Sequence, residues 1–345
     1  SGSMEEDGSS EEPNFDEGGS KAQNLCDEAW AAHGEAEHAE AERLYHAALR
    51  EDPNHIEAMT KLAMLYELDM VEYGKAEALY RRAIEVDPED VSLLYDFAVF
   101  LQERRKDYDE AEKFYKRAIA LDPSDGGSLN NYAIFLQTCR NDTTAAEALF
   151  KRALDAHPNA SATLCNYASF SENHLCNYDQ AEKMYKRALK INPDDASTCY
   201  NYAIFLEERR QDHDGAERMY KRTLEADPTD VDALNNYGLL LQNVRGDYVG
   251  AQALFEAALK REPGDLASLN NLAVLLEDCM QDYKAAEDTY KRALEMSPDD
   301  VTSLCNYGGF LKHRRNQETE AEEMFKKARA EDANLADRLI KTQDD

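Results

Sequence analysis

Six asparagines stand in register along the chain: Asn131, Asn166, Asn201, Asn236, Asn271 and Asn306, each 35 residues after the last. Asparagine is a poor residue for a helix interior, so six copies ask for a hydrogen-bonding role. A side-chain amide offers both a donor and an acceptor. A row of them can pair with the main chain of an extended segment whatever its sequence, each bond adding about 0.5–1.5 kcal/mol. Equally, each can bond to the adjoining part of its own chain and hold nothing else, and the sequence leaves both readings open. The other reactive residues form no such pattern. The seven cysteines are odd in number and include no Cys-x-x-Cys pair, which points to neither a disulfide framework nor a zinc site. The eight histidines form no in-phase row, and His174 near Cys176 reads as a turn residue rather than a metal ligand. Carboxylate pairs such as Glu207-Glu208 and Asp299-Asp300 read as solvated faces in so acidic a chain. With no phosphate-binding glycine loop, Gly-x-Ser-x-Gly, His-Glu-x-x-His or EF-hand pattern, the expectation is a protein that is not an enzyme, with no metal and no cofactor.

Composition narrows the class further. The 345 residues hold 39 Lys and Arg against 70 Asp and Glu, a formal net charge of -31. That excess argues against unassisted binding to nucleic acid or anionic lipid, where phosphate neutralisation dominates. The 43% hydrophobic content is enough for a packed core. No apolar stretch approaches the roughly 20 residues of a membrane span, and no signal-peptide pattern is present. The expected compartment is reducing, and the expected location cytoplasmic, with nucleus or cilium as alternatives. Residues 1–20 carry seven acidic and no basic residues among many Gly and Ser, and read as a disordered acidic tail. Ser1-Gly2-Ser3 ahead of Met4 reads as an expression scar.

A period then organises the rest. Pro53, Pro88, Pro123, Pro158, Pro193, Pro228, Pro263 and Pro298 are all 35 residues apart, with Ala333 in the next place. Alanines from Ala76 to Ala321 keep the same phase, and four residues after each comes an aromatic, from Tyr80 to Phe325. Within one period, Leu234, Tyr237, Gly238 and Leu241 fall on one helix face, then Ala251, Leu254, Phe255 and Ala258 on another. Arg245-Gly246-Asp247-Tyr248 supplies the turn between them, with the extra thirty-fifth residue placed at Arg245. A single helix pair cannot bury its apolar face, so the pairs must stack. Residues 21–55 read as a degenerate N-terminal capping repeat, 56–333 as eight full repeats, and 334–345 as a C-terminal capping helix and tail. The repeat at 161–195 is the weak link, because Ser171 stands where other copies carry Leu or Tyr.

The order Leu234, Tyr237, Gly238, Leu241, Ala251, Phe255, Ala258, Pro263 resembles the tetratricopeptide repeat (TPR) family, in a 35-residue variant. The resemblance implies an all-α, right-handed TPR superhelix of eight helix-turn-helix repeats plus helical caps, whose first helices line a concave groove. The asparagine row is then similar to the ladder of peptide-binding TPR superhelices such as O-GlcNAc transferase and kinesin light chain. On that reading Asn131, Asn166, Asn201, Asn236, Asn271 and Asn306 hold a peptide main chain. Their predecessors Tyr95, Asn130, Tyr200, Asn235 and Asn270 contact its side chains, and Glu207 and its in-phase equivalents favour a basic or neutral segment. A tail clamp for a terminal carboxylate is disfavoured, since no residue one turn before the ladder is basic. The Lys-Arg pairs after each helix-B aromatic read as salt-bridge partners of the Glu that follows the in-phase alanine. Two alternatives accompany this reading. One is a structural scaffold that uses the outer face or self-associates through its ends, with Cys26 and Trp30 at the interface. The other is an RNA-binding array like the pentatricopeptide repeats, which the acidity disfavours.

Overall fold

The computed structural model describes residues 20–344, so the expectation for the acidic tail lies outside the described residues. Two compact units emerge, divided between Pro158 and Asn159. Among the described residues every regular element is a helix. The first unit holds α1 (Lys21–Gly34), α2 (His38–Glu51), α3 (Ile56–Leu68), α4 (Tyr73–Val86), α5 (Val91–Phe100), α6 (Tyr108–Leu121), α7 (Gly126–Phe135) and α8 (Thr143–Ala156). The second holds α9 (Ser161–Asn173), α10 (Tyr178–Ile191), α11 (Ala196–Phe205), α12 (His213–Ala226), α13 (Val231–Leu240) and α14 (Tyr248–Arg261), followed by α15 (Leu266–Val274), α16 (Tyr283–Met296), α17 (Val301–Arg315) and α18 (Glu318–Asp344). Odd-numbered helices are the first, or A, helices of each pair; even-numbered ones are the B helices, and each A helix packs on the B helix that follows it.

The boundaries follow from local chemistry. Asp90, Asp125, Asp195, Asp230, Asp265 and Asp300 each accept from the backbone N–H three residues on, at 2.7–3.0 Å, and so cap an A helix. Asp107, Asp142, Asn177, Asp212, Asp247 and Asp282 do the same for B helices. Each such cap stabilises its helix by about 1 kcal/mol. Most A helices finish in a widened final turn, as where the Asp107 N–H reaches back to the Leu101 carbonyl at 3.0 Å. That closure needs a left-handed residue, and Val71, Lys106, Asn141, Cys176, Gln211, Gly246, Gln281 and Asn316 all have φ between 50° and 67°.

Small residues set the helix spacing. Ala111, Ala146, Ala181, Ala216, Ala251 and Ala286 are fully buried, and the aromatic four residues later fills the gap beside each. Gly238 shows how tight this is: a Cβ there would stand 2.5 Å from the Phe255 ring. Between consecutive repeats the arginine two residues after the aromatic donates to a proline carbonyl, as from Arg292 to Pro263 at 2.6 Å. Its lysine neighbour pairs with the glutamate four residues earlier, as in Lys116–Glu112 and Lys221–Glu217. At Ser171 the chain keeps a buried hydroxyl, satisfied by donating to the Tyr167 carbonyl at 2.7 Å. The long α18 breaks its helical backbone at Asp332, whose carboxylate caps a new start at Leu335. The segment beyond the break brings Ala336, Leu339 and Ile340 against Leu304, Cys305 and Ala328.

Candidate functional site

The ladder positions sit half-buried on the A helices, and the amide nitrogens of four of them reach one repeat back. Asn236 Nδ2 donates to the Tyr200 hydroxyl at 2.7 Å, Asn131 Nδ2 to the Tyr95 hydroxyl, Asn201 Nδ2 to Cys165 Sγ at 3.6 Å and Asn306 Nδ2 to Asn270 Oδ1 at 3.2 Å. The partner is always the residue just before the preceding ladder position, 36 residues away in sequence. The donor half of these amides therefore joins repeats. The acceptor half differs along the row. Asn131 Oδ1 accepts from Asn130 at 3.1 Å. Asn201 and Asn236 keep Oδ1 without a protein donor, and Asn271 makes no side-chain hydrogen bond within the described residues. Asn166 occupies the same half-buried place on α9.

The residues one before the ladder divide by type. Tyr95 and Tyr200 are half-buried and orient the asparagines that bond to them. Burial pushes both phenols up, that of Tyr200 to about 12. Asn130, Asn235 and Asn270 are 8%, 6% and 6% exposed. Asn235 exchanges hydrogen bonds with Ser268, and Asn270 donates to Ser303 at 2.8 Å. One residue is about 100° of helix rotation, which turns this position from the open face into the contact between repeats. Asn235 and Asn270 thus bond across to the next repeat, Asn130 bonds to Asn131 on its own helix, and Asn270 also lines a cleft with Asn271 and Asn306. Cys26 likewise is fully buried and takes no part in any exposed end, whereas Trp30 is 46% exposed.

The glutamates one turn further along have a structural duty that their sequence pattern did not reveal. A buried helix-B tyrosine needs an acceptor for its hydroxyl; Tyr45 on α2 has none among the described residues, whereas five later ones do. Tyr80 finds Glu67, Tyr115 Gln102, Tyr185 Glu172, Tyr220 Glu207 and Tyr290 Glu277, at 2.9–3.5 Å and always 13 residues earlier. Where the aromatic is Phe150, Phe255 or Phe325, the partner position is Gln137, Gln242 or Lys312 instead. A second contact recurs only at every third repeat: Arg104, Arg209 and Arg314 pair with Glu67, Glu172 and Glu277 at 2.9–3.1 Å. Burial holds the Glu172, Glu207 and Glu277 carboxyls above the ordinary range, and Arg209 and Arg314 pull the first and last part of the way back. Of Glu67, Glu172, Glu207 and Glu277, Glu207 alone has no arginine partner among the described residues and keeps an acidic character on this face. Asp96, which takes the ladder position on α5, is raised to about 6 by burial, then by Asp90 and Glu67.

Two neighbouring clefts open on this face in the second unit. The first, about 380 Å³, is lined by Leu239, Gln242, Asn271, Val274 and Asn306 among others. The second, about 490 Å³, shares Val274 and Asn306 and adds Glu277 and Arg314. Gln242 Oε1 is buried there without a hydrogen-bond partner, because Phe255 brings no hydroxyl to it. The in-phase positions Met64, Val99 and Ile134 in the first unit, and Ile204, Leu239 and Val274 in the second, are half-buried apolar residues on the same helices as their ladder positions, and Ser169 takes this place on α9. A face that alternates uncommitted amide oxygens with apolar side chains can take up the main chain and side chains of an extended segment. His174, exposed and stacked on Phe170 at 5.3 Å, and the exposed Cys176 lie at the α9 turn and meet no such arrangement.

This geometry defines a helical-hairpin repeat protein that presents the A-helix face of its stacked pairs. Comparison with known families gives the same class. Residues 59–169 match the Cilia and flagella-associated protein 70 middle TPR-like domain, and residues 176–236 and 245–304 match the Tetratricopeptide repeat model. The chain belongs to the tetratricopeptide repeat family, whose members mediate protein–protein interaction. Its fold is similar to that in the APC/C hetero-tetramer Cut9-Hcn1, with a TM-score of 0.56 at 16% identity over 96% of this chain and 78% of that one. It is also similar to human IFIT1, crystallised as a dimer with m7Gppp-AAAA, with a TM-score of 0.56 at 19% identity over 89% and 71%. A tetratricopeptide repeat protein from Parabacteroides merdae gives 0.54 at 20% identity over 74% and 99%. No curated protein matches the chain. No helix among the described residues is long and apolar enough to cross a membrane.

Proposed function

We propose that the protein is a non-catalytic interaction module that binds an extended, basic or neutral segment of a protein partner along its A-helix face. The observation that carries this reading is the set of free acceptors: the Oδ1 atoms of Asn201 and Asn236 and the whole amide of Asn271. They stand in register at repeat spacing, and each is half-buried beside an apolar neighbour. Their nitrogens, where bonded, are already oriented by Tyr200 and Cys165, so the oxygens are preorganised for N–H donors of a main chain. Leu239 and Val274 would receive apolar side chains of the segment. Glu207, which has no arginine partner among the described residues, would favour a positive charge on it. The capped RNA in the IFIT1 complex belongs to that protein; here the net charge of -31 opposes a polyanion.

The test is affinity capture with two baits, the natural chain and a triple variant with Asn201→Ala, Asn236→Ala and Asn271→Ala. Circular dichroism must first show equal helix content and melting. Partners held by the first bait and lost from the second support the reading, and the segment they share names the motif. Equal capture by both removes the ladder from the binding site.

A further inference from the structure

We propose that His33, His38 and Asp69 form a binding site for a divalent transition ion of the zinc class. His33 lies in the last turn of α1, His38 opens α2, and Asp69 ends α3. The connection between the first two helices passes through Ala36 in the left-handed region, at φ 60°. That tight turn brings the two imidazoles together, with ring centroids 6.1 Å apart. The three side chains offer one donor atom each, and all three atoms lie within 4.8 Å of one another. His33 Nε2 already meets Asp69 Oδ2 at 2.8 Å, which orients the ring and holds the carboxylate at the cluster.

A second, independent observation points to a ligand. Nδ1 of His33 and Nδ1 of His38 are both buried without a hydrogen-bond partner. A buried polar atom left unmade is costly, and two of them on neighbouring edge-to-face rings call for a common partner. A cation with vacant coordination positions supplies it. Two nitrogens and one carboxylate suit zinc, cobalt, nickel or copper rather than calcium or magnesium, which prefer oxygen-only sets. With three protein ligands, a fourth position stays open to water or to a group from a partner. The ligands come from three helices, so the ion would clip the first helical pair onto α3 and make the order of this end depend on the metal. Single-repeat periodicity does not show it, because Asp69 is 36 residues from His33 and the three residues do not recur together in any other repeat.

The only tryptophan reports on this place directly. The Trp30 ring stands 5.4 Å from that of His33, close enough for a paramagnetic ion bound there to quench it. The experiment is a titration of the full chain with Co²⁺, read by Trp30 fluorescence and by visible absorption, followed by displacement with Zn²⁺. The expected result is quenching that saturates at one equivalent and is reversed by Zn²⁺. Affinity should fall at least about tenfold in each of His33→Gln, His38→Gln and Asp69→Asn. His38→Gln alters only the first residue of α2, so its helix content, checked by circular dichroism, guards against a folding artefact. Quenching that is absent, or that has the same midpoint in all three variants, overturns the proposal. So does strong thiolate-to-cobalt absorption, which would place the ion at a cysteine.

Discussion

Replacing Asp96 by asparagine should make the protein more stable at pH 8 and leave it unchanged in acid. Asp96 is the one carboxylate in the ladder column, on a half-buried face of α5. Burial, Asp90 and Glu67 together move its carboxyl from 3.8 to about 6. A carboxyl raised on folding favours the folded state fully below its unfolded pKa, and that contribution is lost as pH rises through the folded value. The window therefore opens near pH 4 and closes near pH 7. Two pH units at about 1.4 kcal/mol each set a ceiling of roughly 3 kcal/mol. Residual solvent contact lowers it to roughly 1–2 kcal/mol. The Asn variant carries no charge at any pH, so its advantage over the natural chain should be near zero below pH 4 and complete above pH 7. Glu172, Glu207 and Glu277 titrate with the same sign, so only the difference between variant and natural chain isolates this residue. Because repeat arrays can open in parts, the assay is hydrogen exchange of α5 amides at pH 5 and pH 8, corrected for intrinsic rates. A carboxyl-carbon NMR titration of Asp96 accompanies it, with an expected midpoint near 6. A variant no better protected than the natural chain at pH 8, or an advantage equal at both pH values, would refute the reasoning.

Other consequences are as direct. Phe255→Tyr should give the orphaned Gln242 Oε1 the hydroxyl that Tyr115 gives Gln102, adding about 0.5–1.5 kcal/mol in urea unfolding; a loss of stability would show that the pocket cannot admit the oxygen. Arg209→Met should leave the Glu172 carboxylate, 6% exposed, without its cation, lowering stability by about 3 kcal/mol, and Glu172→Gln in the same chain should restore most of it. Val71→Gly should raise stability by about 1 kcal/mol, since a β-branched residue at φ 55° is strained; no gain in thermal unfolding would mean that the turn is already relaxed.

How much of this was legible in the sequence depends on the range of the interaction. The period itself, the helix faces and the turn residues are local or strictly repeated, so Pro53 to Pro298 and the alanine–aromatic pairs were enough to read helical pairs that must stack. The asparagine row was legible for the same reason. What its amides bond to was not, because the partner sits 36 residues back and varies among Tyr95, Cys165, Tyr200 and Asn270. The fate of Asn130, Asn235 and Asn270 turned on one residue of helix rotation, which no composition argument resolves. The acidic lining was misjudged in part: a glutamate such as Glu67 reads as a charge, yet its place is explained by Tyr80 on one side and Arg104 on the other. The signal was present in the pairing of every Glu at this position with a Tyr thirteen residues later, where Phe follows only Gln or Lys, and in the recurrence of Arg104, Arg209 and Arg314 at every third repeat. A reading fixed on single-repeat periodicity passes over both.

The central claim is that a partner's extended segment lies along the A-helix face. The most direct measurement places a photo-cross-linking amino acid at Val274, which lines both clefts. A control carries it at Lys291, an exposed position on helix α16. After irradiation with native partners, the account predicts cross-links from Val274 to one short segment of the partner, lost when Asn236 and Asn271 are changed to alanine, and none from Lys291. Cross-links to that partner from Lys291, or from Val274 without dependence on the asparagines, would contradict it.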